Sequence, residues 1–85
     1  MSIKLHNYDS TEAYPYLSKG CFEMSEGGEI NDDTEFFDEK DRKFRVNDCF
    51  HKEGMVIIEF EDCEEDWVYI RLDLEKKEWI LIGKN

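Results

Sequence analysis

Proline occurs once in this 85-residue chain, cysteine three times and histidine twice, and basic residues number 11 against 22 acids. Each scarcity excludes something. No apolar run approaches the length of about 18 residues that a membrane helix needs. The opening MSIKLHNYDS lacks the basic and apolar regions of a signal peptide, so a cytoplasmic location is expected. Cys21, Cys49 and Cys63 are an odd number without the regular spacing of a disulfide framework, which fits thiols kept reduced. The shortage of bases leaves a formal charge of −11, which repels nucleic-acid phosphates and anionic lipid and attracts basic surfaces. Direct binding to nucleic acid or membrane is therefore not expected. A basic protein partner is.

Catalytic and metal motifs are missing as well. Cys49 and His51 form C-x-H, but no C-x-x-C pair accompanies them, and His6 with Cys21 or Cys63 would have to complete a tetrahedron from separate elements. The oxygen-rich stretch NDDTEFFDE breaks calcium-loop spacing, with Phe36 and Phe37 where ligands and glycine belong. Cys63 lies among Asp62, Glu64 and Glu65, whose charge disfavours the thiolate that a nucleophile requires. There is no G-x-S-x-G elbow, P-loop or dinucleotide fingerprint, and Gly27-Gly28 sits between acids that would repel phosphate. A pair of glycosidase carboxylates would need a cleft that so short a chain supplies poorly. The expectation is no catalytic residue, no cofactor, no metal and no enzyme.

The chain is nonetheless 40% hydrophobic and 14% aromatic, enough to fold, and its length allows one small acidic domain over residues 1–85. Residues 43 to 82 alternate apolar and polar positions at a period of two. Strands are predicted at 43–50, 55–61, 67–74 and 78–82, joined by connections short enough for antiparallel hairpins. Gly54 suits a loop position with positive φ. Val56, Ile58 and Phe60, Val68, Ile70, Leu72 and Leu74, with Phe44 and Val46, share the core face. Phe60 is expected opposite Val68 and Ile58 opposite Ile70, leaving Glu61 beside Trp67 and Glu59 beside Tyr69 on the outer face. The register of the last strand stays open, because Trp79 and Leu81 alternate with Ile80 and Ile82.

In the first half, Ile3, Leu5 and Tyr8 suit an extra edge strand. Tyr14, Tyr16, Leu17 and Phe22 suit a short helix or turn beginning near Pro15. EGGEINDD reads as a loop, and TEFFDEKDRK as either a helical turn or a further hairpin. The expected fold is α+β or mainly β: an antiparallel meander of four to five strands, with a short helix or irregular N-terminal half packed over its outer face.

The candidate site is acidic. EFEDCEEDW, residues 59 to 67, holds six acids and no base. Residues i and i+2 of a strand point the same way, about 6.6–6.8 Å apart, so Glu59 and Glu61 can imitate a row of phosphates. Asp62, Glu64, Glu65 and Asp66 would extend that row, and Trp67 and Tyr69 would anchor it. A second block, residues 23 to 41, carries nine acids and one lysine. It adds Asp32, Asp33, Glu35, Phe36 and Phe37 if it folds beside the first. In size and charge, though by no motif, the chain is similar to nuclease immunity proteins, phage DNA mimics and anti-CRISPR proteins. The leading expectation is a non-enzymatic inhibitor that occupies the basic nucleic-acid site of a nuclease, toxin or phage-defence effector. Its rival is a β-rich interaction module or homodimer whose acids serve solubility alone.

Overall fold

The computed structural model describes residues 2–8, 18–24, 29–62 and 64–84. Seven strands form a closed barrel: β1 (Ser2–Leu5), β2 (Lys19–Met24), β3 (Glu35–Phe37), β4 (Lys43–Lys52), β5 (Met55–Glu61), β6 (Trp67–Asp73) and β7 (Glu78–Lys84). Their order around the barrel is β1-β2-β7-β6-β5-β4-β3. The mainly β reading holds, but four or five strands and a helix do not. No helix occurs among the described residues, and the segment around Pro15, with Tyr14, Tyr16 and Leu17, lies outside them. Phe22, assigned to that helix or turn, is a buried residue of β2.

The antiparallel run from β3 to β7 follows from the alternation and the turn chemistry. Met55 pairs with Lys52, leaving Glu53 and Gly54 as a two-residue loop with φ of 50° and 78°. Positive φ at both positions is the hairpin turn whose twist matches the strands, and glycine adopts it without strain. β5 and β6 pair with Phe60 opposite Val68, Ile58 opposite Ile70 and Glu61 opposite Trp67, as the sequence predicts. β3 pairs with β4 through Phe36 and Phe44, so TEFFDEKDRK is a hairpin.

The described strands of the N-terminal half do not form a second layer over the sheet; they complete it. β1 runs antiparallel to β2 and parallel to β3, joining both ends of the meander, and β2 pairs with β7. β1 is therefore no edge strand. Closure surrounds one apolar interior that includes Ile3, Leu5, Phe22, Phe36, Phe44, Ile58, Ile70 and Trp79. Tyr8 reaches in from beyond β1 and meets Phe44 edge-on, with ring centroids 4.8 Å apart.

Two bulges set the parity that strict alternation misses. Asn47 is the extra residue in β4, so Phe44 and Val46 face inward, then Cys49 and His51, while Asp48 and Phe50 turn out. In β7 the shift at Ile82 leaves Trp79 and Leu81 inside and Ile82 exposed. A bulge adds one residue and reverses the facing of everything after it.

Ile58 and Ile70 are fully buried opposite each other. Replacing either by alanine is expected to cost about 2–5 kcal/mol, the range for emptying a buried aliphatic site. Thermal or urea unfolding measures it, and a near-wild-type transition in both variants would contradict this packing.

Candidate functional site

The acidic loop of residues 62 to 66 has a twin. Asp62 N–H donates to the Asp66 carbonyl (2.9 Å), and Glu65 N–H to the Asp62 carbonyl (3.0 Å). In the β3–β4 loop, Asp38 N–H donates to Arg42 O and Asp41 N–H to Asp38 O, both at 3.1 Å. Each loop's first carboxylate then accepts from two backbone amides. Asp62 Oδ1 takes those of Glu64 (2.9 Å) and Asp66 (3.1 Å); Asp38 Oδ1 takes those of Lys40 and Arg42, both at 2.9 Å. The fourth residue has positive φ in both, 64° at Glu65 and 59° at Asp41. DEKDR and DCEED are thus one turn written twice, each built around an aspartate that supplies acceptors to otherwise unbonded amides.

Asp62 is consequently not part of a charge row. Its side chain is buried and bonded to its own loop, which corrects its assignment to a partner surface. The twins differ at the fifth residue. Arg42 Nε donates to Asp38 Oδ2 at 2.6 Å, closing an ion pair inside the first loop. Asp66 stands at that place in the second, and the carboxylates of Asp62, Glu64 and Asp66 lie within 4.8 Å of one another. One loop neutralises its aspartate from within its own sequence. The other adds like charge.

Beside this loop the outer faces of the strands form cross-strand rows. Arg45, Glu61 and Trp67 make one; Asp48, Glu59, Tyr69 and Gly83 make the next. Trp67 is 43% exposed. The Tyr69 ring lies against Gly83, where a Cβ would meet Cδ2 at 3.6 Å, and Tyr69 stands directly across from Glu59. Arg45 comes only to 3.9 Å from Glu61, and so exposed a pair is worth less than about 1 kcal/mol.

The second acidic block divides. Asp32 comes to the flank of β4, lining one cleft with Asp48, Cys49 and His51. Cys49 and His51 both address the Ile30 carbonyl there, at 3.8 and 2.7 Å. Burial, then the charges of Asp32 and Asp48, push the Cys49 thiol above its usual pKa and keep it a poor nucleophile. Asp48 links Asp32 to Glu59, so this part of the block does join the first. Asp33 is exposed in the adjoining turn. Glu35 faces Lys43 at 3.4 Å. Phe36 is fully buried against Phe60, since the inward parity of β3 falls on it, which removes it from the anchor set. Phe37 is half-buried on β3, three strands from Trp67.

Asp48, Phe50 and Ile82 belong to this outer face and escaped the sequence reading. The bulges turn them outward, and the one available signal was the polar pair Asn47-Asp48 interrupting an apolar alternation. Cys63 lies outside the described residues; Cys21 and Cys49 are free thiols. Among the described residues no helix is long and apolar enough to cross a membrane. The chain matches no protein-family model, no curated protein and no solved structure.

Two outcomes are expected. Asp62→Ala should lower stability by about 1–3 kcal/mol, because two amides lose a charged acceptor. An unfolding midpoint unchanged from wild type would deny Asp62 this role. The Tyr69 phenol is held above its ordinary pKa first by the bond to Glu59, then by loss of solvent and by the charge of Glu59. The folded state thus keeps this proton more tightly than the unfolded chain, so its contribution to stability is present below about pH 10 and fades as pH rises through the raised value. Glu59→Gln should move the Tyr69 transition to lower pH, seen as tyrosinate absorbance after subtracting Tyr69→Phe. A transition that stays in place would show that the bond does not form.

Proposed function

We propose that this protein is a non-enzymatic binder of a basic protein surface, acting through the 62–66 loop and the outer rows of β4, β5 and β6. One observation carries the reading: the second hairpin loop repeats the first but has Asp66 where Arg42 completes the ion pair. The turn that carries an arginine in one loop carries a further carboxylate in the other, which concentrates negative charge beside the strand that bears Trp67 and Tyr69. Exposed Trp67 beside Glu61, and Tyr69 beside Glu59, place aromatic area among steering charges, the mixture that tight interfaces use.

The partner class that best matches a row of carboxylates at strand spacing is a nucleic-acid-binding protein, a nuclease, toxin or defence effector among them, whose phosphate site the acids would occupy. Charge complementarity supports this choice. A second reading has its own support: Phe50 (46% exposed) and Ile82 (48%) lie on the same outer face, with partly exposed Ile57 and Ile80 flanking Arg71 between them. Exposed apolar side chains of that kind serve an interaction module or a homodimer.

A photo-crosslinking residue at position 67 identifies the partner, and binding is then measured at low and high salt with and without duplex DNA. Reversing Glu61, Glu64 and Glu65 to lysine should slow association by roughly ten- to a hundredfold at low salt with little effect on melting. Trp67→Ala should instead speed dissociation, because an anchor acts after docking. Competition by DNA supports the phosphate-site reading. Binding unchanged in the folded lysine variant refutes it, and a dimer that persists at high salt favours the apolar alternative.

A further inference from the structure

Several basic side chains of this acidic protein stand within ion-pair distance of a carboxylate, among them Lys4 with Asp41 (3.3 Å), Arg42 with Asp38 (2.6 Å), Lys43 with Glu35 (3.4 Å) and Arg45 with Glu61 (3.9 Å). Lys19, Arg71 and Lys76 make no ion pair among the described residues, yet all three line one cavity of about 460 Å³ on the outer side of β2, β7 and β6. With acids outnumbering bases two to one, solubility gives no reason to collect cations and leave them unpaired. The register explains how they converge. Ile80 is paired to Lys19 on one side and to Arg71 on the other, so the two cations flank its side chain across two strand spacings, about 9.5 Å. One row further along the strands, Cys21, Glu78 and Asp73 pair in the same way. Asp73 Oδ1 is engaged by the amides of Glu75 and Lys76, both at 3.1 Å.

We propose that this cavity binds a small molecule through a single carboxylate or phosphate group, seated over Ile80 between Arg71 and Lys19. Arg71 offers the forked donors that such a group accepts in pairs, and Lys19 and Lys76 add charge from either side. Ile80 supplies an apolar floor that keeps water from the pair. The volume suits a metabolite-sized ligand. Asp73 and Glu78 restrict the class: they repel a second negative group, so polyanions are rejected and an amine or other donor is favoured at that end. The site uses the opposite end of β6 from the acidic loop, shares no residue with the acidic rows and does not depend on the acidic surface proposed above.

Titration of isotope-labelled protein with sodium acetate or with inorganic phosphate, at ionic strength held constant by sodium chloride, tests this by backbone amide shifts. Saturable shifts confined to residues 19–21, 71 and 76–80 are expected in at least one titration, and the tighter of the two anions identifies the head group. Arg71→Gln combined with Lys19→Gln, with a wild-type spectrum elsewhere as proof of folding, should weaken binding by roughly tenfold or more. The exposed Cys21 thiol gives a second readout. Its alkylation rate by anionic iodoacetate relative to neutral iodoacetamide should fall in the double variant, because the ratio cancels any change in thiolate fraction and leaves only attraction of the anion. Unsaturable drift with both anions, saturable binding that survives in the folded double variant, or an unchanged alkylation ratio would overturn the proposal.

Discussion

Closure of the sheet is the constraint on which everything else rests. A chain of 85 residues has too little surface to build a second layer over an open sheet, and an apolar sheet face must be buried against something. Curling the sheet until β1 meets both β2 and β3 lets the inner face bury itself and removes the unpaired edges. The β2–β7 junction has three paired positions. It is reinforced by the Leu81 amide on Ser18 O (2.8 Å), His6 N–H on Cys21 O (2.8 Å) and Trp79 Nε1 on His6 O (2.9 Å). The indole passes through the space left by Gly20, where any Cβ would run into the His6 carbonyl oxygen and the indole itself. A large buried aromatic satisfies its one polar group at the point where the barrel closes.

How much of this was legible follows from which contacts are local. The β5–β6 register could be read because both strands carry an aliphatic or aromatic residue at every second position, and only one pairing puts all of them inside. Gly54 declared its turn in the same way. The closing strands could not be read: β1 and β3 are four and three residues long, and β1's partners lie far along the chain. Strict alternation also fails at bulges, so the outward turn of Asp48 and Phe50 and the facing of Ile82 were hidden. For Phe36 and Phe37 the sequence offers two adjacent aromatics without saying which is inside; pairing with Phe44 decides it.

The six acids of EFEDCEEDW turn out to have different tasks, which their common charge concealed. Asp62 organises the loop, Glu59 raises the pKa of the Tyr69 phenol across from it, and Glu61 faces Arg45. Glu64 and Glu65 are exposed. Glu65 occupies a positive-φ position that residues other than glycine, asparagine and aspartate seldom take, and the twin loop fills that position with Asp41. DEKDR and DCEED are recognisable as one motif only after the first aspartate is known to be the acceptor, because a lone aspartate ahead of a turn has many uses.

Charge on the outer face is unevenly distributed. Carboxylates gather on β4, β5 and the 62–66 loop, and unpaired cations gather where β6 and β7 meet β2. At distances beyond the molecule's own size the sum of −11 dominates and draws a basic partner from any direction. At contact, screening over about 8 Å at physiological salt leaves only nearby groups effective, so a basic surface meets attraction at the Glu61 and Glu64 end and repulsion at Arg71 and Lys19. The proposed anion pocket and the proposed docking surface would thus lie on different parts of the outer face, and the asymmetry between them would orient a cationic protein as it docks. One closed sheet could carry both, because its inner face buries itself and leaves the outer one free to vary.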